Sequence, residues 1–215
     1  MTGASRPRRH VVAPNCSPAD LARAAEWLRG GGVVAFATDT VYGLAVDPGS
    51  DSAVQALFDL KGRDARAAVP LLAASARQVT TACGSMSEVT AHLAQTFWPG
   101  PLSLVFDAPA AIAAGVHGGA GTVAIRVPAS QVARALAEAF CGLVTATSAN
   151  RSGEPPASTP AALDDWLDDE RVLLVDSGAA PGGAPSTIVD ARGARPMLIR
   201  EGAITWNRVL ESLEA

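Results

Sequence analysis

The sequence is poor in several residue types, and each shortage excludes something. Among 215 residues there is one lysine, Lys61, against 16 arginines, and one tyrosine, Tyr42. The three cysteines, Cys16, Cys83 and Cys141, are odd in number and far apart. They offer neither a disulfide framework nor a zinc-ligand spacing, and they suit a reducing cytoplasm. The three histidines are scattered, so a histidine metal site is a poor expectation. No apolar run reaches the length of a membrane span, and none follows the arginine-containing start "SRPRRH" as it does in a signal peptide. Residues 1–17 read as a flexible tail ahead of one domain over 18–215. A net charge of −4, with a pI near 5.3, gives no global basic field for nucleic acid or anionic membrane. Several signatures are also missing. Leu60, not glycine, precedes Lys61, so there is no Walker loop; no H-E-x-x-H or G-x-S-x-G occurs, and no G-x-G-x-x-G follows a strand.

What is present is an apolar, weakly charged chain, 48% hydrophobic and 18% charged, as expected of a soluble globular domain. Helical and strand patterns alternate along it. Helices are expected at 18–30, at 51–61 with Asp51 as N-cap candidate, at 86–97, 130–140 and 160–169, and at 203–213. Strands are expected at "VVAFA" (33–37), "VYGLAV" (41–46), "VPLLAA", "LSLVF", "TVAIRV" (122–127), "LVTAT" (143–147), "RVLLVD" (171–176), "STIVDA" and "MLIR". This predicts an α/β fold, a single domain in which a twisted mixed β-sheet carries flanking helices. The loops 149–160 and 177–186, rich in Gly, Pro and Ser, are where such folds often place ligands.

Five stretches could carry chemistry. Lys61 closes the helix 51–61 at the edge of its buried stripe. It is either a helix-end charge, worth ~0.3–1 kcal/mol, or a compact ammonium reaching a phosphate or carboxylate beside Arg63. "TDTVYGLA" (38–45) puts two hydroxyls and a carboxylate in a turn, where Asp39 could bond its own backbone. "TATSANRSGEPP" (145–156) runs a buried strand into a small-residue polar segment whose Ser148 and Asn150 offer donors; an ordinary turn explains it as well. In "GTVAIRVP" (121–128), Val123, Ile125 and Val127 face one way and Thr122, Ala124 and Arg126 the other. A strand arginine like Arg126 more often pairs with a carboxylate than binds a ligand. "PSTIVD" (185–190) and "LIREG" (198–202) place Ser186 and Arg200 at strand ends. "FWPGPLSLV" (97–105) reads as structural: a helix stop, a packed Trp and a tight turn.

In this order, "TDTVYGLA", Lys-x-Arg before a Pro-Leu strand, "WPGPLSLV", "TVAIRVP", "TSANRSG", "STIVD" and "REG" resemble the threonylcarbamoyl-AMP synthase family, the YrdC-like domain, in its short form. The resemblance spans about residues 20 to 213. It departs at Ala37, where the family usually has Pro, and around Pro70-Leu71, where an Asn and a His (Ala74 here) are missing. The resemblance implies a concave basic cavity and an enzyme, a nucleotidyltransferase. Such an enzyme forms threonylcarbamoyl-AMP and pyrophosphate from L-threonine, bicarbonate or CO2, and ATP, the last accompanied by Mg2+ held by phosphates and water. It implies catalytic roles for Lys61 and Arg63. ATP would be bound by Lys61, Arg63, Thr122, Ser148, Pro156 and Arg200, and L-threonine by Thr40, Arg126, Ala146 and Ser186, with no protein metal site. The implied setting is the cytoplasm, with a partner transfer enzyme that uses the product on tRNA, weak tRNA contact at most, and no membrane. Two rivals stay open: an RNA-binding module, which the acidic balance and few aromatics disfavour, and a carbamoyl-transfer paralogue of the same fold.

Overall fold

Serines start most of the helices in the computed structural model, which describes residues 11–12, 17–62, 67–151, 153–193 and 195–214. In chain order its elements are β1 (Val11–Val12), α1 (Pro18–Arg29), β2 (Val33–Ala37), β3 (Tyr42–Ala45), α2 (Asp51–Lys61), β4 (Leu71–Leu72), α3 (Ala76–Cys83) and α4 (Glu88–Phe97). There follow β5 (Leu102–Asp107), α5 (Ala114–His117), β6 (Thr122–Arg126), α6 (Gln131–Phe140), β7 (Val144–Thr145), β8 (Thr147–Ser148) and a 3-10 helix (Pro160–Trp166). The chain closes with β9 (Val172–Val175), β10 (Thr187–Asp190), β11 (Met197–Arg200) and α7 (Trp206–Glu214).

Ser17, Ser50, Ser75, Ser87 and Ser130 each accept a hydrogen bond from the backbone N–H three residues on. Each satisfies one of the orphan donors of a helix start. The cap of α2 is thus Ser50 and not Asp51, which sits in the first turn where its charge suits the helix dipole. α2 ends at Lys61 because Gly62 adopts the left-handed conformation, φ 58°. The helix α3, not anticipated from its sequence, follows Ser75, and the expected helix at 160–169 is a 3-10 helix. Within the segment read as tail, Val11–Val12 pairs in parallel with Leu174–Val175 of β9.

The strands divide between two mixed sheets, ordered β1-β9-β2-β3-β8 and β11-β10-β5-β6-β4-β7. In the first, β2 runs parallel to β9 and antiparallel to β3; all five of its residues are buried, as befits a strand covered on both faces. In the second, β5 runs parallel to β10 and antiparallel to β6. The run "LVTAT", expected as one strand, serves both. β7 pairs with β4 in the second sheet, β8 pairs with β3 in the first, and Ala146 is the joint between them. The joint is pinned where the Ala146 N–H donates to the Pro70 carbonyl at 2.8 Å and Thr145 Oγ1 accepts from the Val46 N–H at 2.8 Å. One core joins side chains of both sheets with α2 and α4, among them Ala35, Leu44, Leu57, Leu71, Leu93 and Ile125. A second, built from α1 and α6, buries Leu21, Leu28, Leu136 and Phe36 of β2. The two sheets come together at Ala146, and the candidate site opens there.

Candidate active site

A cavity of about 450 Å3 lies at this junction. Its walls come from the turn between β2 and β3, from β4, β6, β8 and β11, and from the loop before β10.

The turn is built by Thr38. Its hydroxyl donates to the Val41 carbonyl at 2.7 Å and accepts from the N–H groups of Thr40 and Val41 at 3.2 and 3.3 Å. This is the local side-chain bonding expected of a turn, made by threonine and not by Asp39. Thr40 lines the cavity, 3.1 Å from the Thr38 hydroxyl. Tyr42 is fully buried and donates its hydroxyl to the Gly178 carbonyl at 2.7 Å; the Gly182 N–H donates to the Thr40 carbonyl, also at 2.7 Å. The loop 177–186 is thereby tied across the turn.

Arg126 ends β6 on the face opposite buried Val123 and Ile125. It lines the cavity although only 8% exposed. Its Nη1 donates to both oxygens of Asp39, at 2.7 and 2.8 Å, and Asp39 also accepts from the Ala129 N–H at 3.3 Å. The carboxylate expected as a strand arginine's partner therefore exists, and it comes from the "TDT" turn. Arg200, at the end of β11, donates through Nε and Nη2 to the Ser186 carbonyl at 3.3 and 2.8 Å. Burial, and then the nearby Arg126 charge, hold the Arg200 guanidinium below its usual pKa. With Arg126 paired to Asp39, the charge left without a carboxylate partner among the described lining residues is that of Arg200, which favours an anionic ligand there.

Ser186 also pairs its hydroxyl with that of Ser103, 3.0 Å away; Ser103 is a lining residue the sequence reading missed. Its signal was available, as the only hydroxyl inside the apolar strand "LSLVF". The loop geometry depends on Gly202. A Cβ there would stand 2.1 Å from the Pro185 carbonyl oxygen and 2.7 Å from the Ser186 carbonyl carbon, both backbone atoms. Thr187 fixes the same corner, donating to the Ile204 carbonyl and accepting from the N–H groups of Gly202 and Ile204. Gly202→Ala should therefore displace Ser186 and Arg200 together. The expected result is a loss of roughly 1–3 kcal/mol in stability from overpacking, read by thermal melting, together with weakened ligand binding.

The other expected residues are placed as follows. Ala146, Ser148 and Pro156 line the cavity with Thr40, Arg126, Ser186 and Arg200. Thr122 does not; it sits at the far end of β6, opposite Asp107 of β5. Arg63 lies outside the described residues. Lys61 is not a lining residue. It is 3% exposed, and its Nζ donates to the carbonyl of Ser148 and, at 2.8 Å, to that of Asn150, with Asn150 Oδ1 at 3.5 Å. Ser148 Oγ donates to the same Oδ1, and Asn150 Nδ2 donates to the carbonyls of Arg151 and Glu154 at 2.9 and 2.8 Å. The ammonium thus clamps the loop that borders the cavity. Among the described residues no cluster of three His, Cys, Asp or Glu side chains stands in position to hold a metal ion, and no helix is long and apolar enough to cross a membrane.

The family model described as telomere recombination, Sua5–YciO–YrdC, matches residues 26–202. The chain belongs to this family. It is 41% identical over 174 residues to a threonylcarbamoyl-AMP synthase of Alkalilimnicola ehrlichii, covering 81% of this chain and 86% of that protein. It is 36% identical over 187 residues to a threonylcarbamoyl-AMP synthase of Pyrococcus abyssi, covering 86% of this chain but only 55% of that longer protein. Its fold matches the crystal structure of P. abyssi Sua5 complexed with L-threonine with a TM-score of 0.85 at 32% identity, over 93% of this chain and 58% of that one.

Proposed function

We propose that the chain is an L-threonylcarbamoyladenylate synthase, a nucleotidyltransferase that forms threonylcarbamoyl-AMP and pyrophosphate from L-threonine, bicarbonate or CO2, and ATP. The names of its relatives support this, and so does one structural observation. Thr40, Arg126, Ala146 and Ser186, expected from sequence at the amino-acid end, meet in one cavity with Ser148, Pro156 and Arg200, expected at the nucleotide end.

In this reading the free edge of the Arg126 guanidinium holds the threonine carboxylate, where its planar fork fits two oxygens at once. Thr40 and Ser186 orient the rest of the amino acid. The threonine amine adds to CO2, losing a proton, and gives a carbamate. A carbamate oxygen then bonds to the α-phosphorus of ATP, and the bond from that phosphorus to the bridging oxygen breaks to release pyrophosphate. Negative charge gathers on the phosphates, and Arg200 offers a fixed cation to meet it, while Lys61 acts by holding the Ser148–Asn150 loop at the cavity edge. Positioning supplies most of the rate, because the amino acid brings its own nucleophile. Mg2+ would travel with the nucleotide, held by phosphate oxygens and water, since Asp39, the carboxylate beside the cavity, is already committed to Arg126. In a cytoplasmic setting the labile product would pass to a transfer enzyme acting on tRNA.

Pyrophosphate release tests the reading. It should require ATP, threonine and bicarbonate together, and serine should substitute poorly. Release triggered by carbamoyl phosphate in place of threonine and bicarbonate would assign the chain to carbamoyl transfer instead.

A further inference from the structure

The interaction between Asp39 and Arg126 has an asymmetry that bears on how the substrate is recognised. Both Asp39 oxygens bond to Nη1 of Arg126. Among the described residues, Nη2 and Nε of Arg126 have no protein hydrogen-bond partner. The Nε–Nη2 edge is one of the guanidinium edges that can take a carboxylate bidentately. The pair is largely withdrawn from water, with the two side chains 9% and 13% exposed. An arginine head on four rotatable bonds would otherwise lose rotamer freedom each time it closed on a ligand.

We infer that Asp39 is a positioning residue for substrate binding: it locks the Arg126 head so that the Nε–Nη2 edge is presented to the ligand carboxylate. It also cancels the Arg126 charge, which leaves Arg200 as the uncompensated cation among the described residues lining the cavity. The substrate carboxylate is then selected by the shape of the fork, and the phosphates by net charge. Asp39 is not needed merely to hold the chain together at this point. Ser130 Oγ already donates to the Ala37 carbonyl at 3.0 Å, stitching the same two segments beside it.

The inference rests on the threonine reading of the cavity, so the test measures binding without turnover. Calorimetric titration with L-threonine, and separately with ATP, is carried out on wild type, Asp39→Asn, Arg126→Lys and the double variant. Asp39→Asn should weaken threonine binding by about tenfold or more, the scale of one charged hydrogen-bond partner, and should not weaken ATP binding, because it removes a negative charge beside the cavity. The double variant should bind threonine no worse than Arg126→Lys alone, because Asp39 acts through Arg126. Asp39→Glu, which keeps the charge but moves it by one methylene, should also lose threonine affinity, and it serves if Asp39→Asn does not fold. Wild-type affinity in either Asp39 variant overturns the inference, as does a double variant whose losses multiply. Absence of threonine binding by the wild type overturns the functional reading and the inference with it.

Discussion

Arg126→Lys should raise the threonine concentration needed for half-maximal pyrophosphate release by about ten- to hundredfold, with the ATP requirement nearly unchanged. Lysine keeps the positive charge and can still face Asp39, but it has no fork, so the bidentate grip on a carboxylate is lost. Removing a charged hydrogen-bond partner typically costs ~1.5–3 kcal/mol, which sets that range. Lysine is the informative replacement. Arg126→Ala would leave Asp39 largely buried without its cation, and breaking such a pair costs ~3–5 kcal/mol of stability, so lost activity would be confounded with unfolding. The measurement is a threonine titration of pyrophosphate release at saturating ATP and bicarbonate. Overlapping curves for wild type and Arg126→Lys would mean that Arg126 does not hold the amino acid.

Lys61→Ala should abolish turnover and also lower stability. The resemblance by itself pointed to a head group lying in the cavity, whose removal would cost little stability. In the structure that head group is buried and bonded to the carbonyls of Ser148 and Asn150. Unpaired, each carbonyl costs ~1–3 kcal/mol, and for a chain of this size each kcal/mol lowers the melting temperature by roughly 2–4 °C. A drop of several degrees is expected, with weaker ATP binding as the loop from Ser148 to Glu154 loosens. Lys61→Arg should rescue neither property, because a planar guanidinium is larger and its donors diverge in one plane, whereas the ammonium donates compactly to clustered carbonyls. This is one physical reason for a lone lysine in an arginine-rich chain. An unchanged melting temperature in Lys61→Ala would show that the clamp contributes nothing.

Much of the fold could be read from local pattern. The continuous apolar run of β2, the 3.6-residue stripe of α2 and the alternation of β6 depend on neighbours in sequence, so their periods reveal them. What was hidden depends on distant partners. Ala146 divides one apparent strand between two sheets because its N–H meets Pro70, and nothing in "LVTAT" announces that. Asp39 looked like a turn residue bonding locally, yet its partner lies 87 residues on. The expected closing helix begins at Trp206 and not 203, because Thr187 holds Gly202 and Ile204 in a loop. At the candidate site, the matched motifs pointed to seven of the lining residues, including all four of the expected threonine end, but not to Ser103. They could not distinguish Lys61 as a loop clamp from Lys61 as a phosphate ligand, since both uses need a compact cation at the end of α2.

The fate of the bicarbonate carbon decides whether the chain makes threonylcarbamoyl-AMP. The protein is incubated with ATP, L-threonine and isotopically labelled bicarbonate, and the nucleotide products are separated promptly and weighed by mass spectrometry. The expected result is a single new nucleotide containing AMP, threonine and the labelled carbon, formed in step with pyrophosphate. A nucleotide product without the labelled carbon, or pyrophosphate released with no threonine-containing nucleotide, would contradict it.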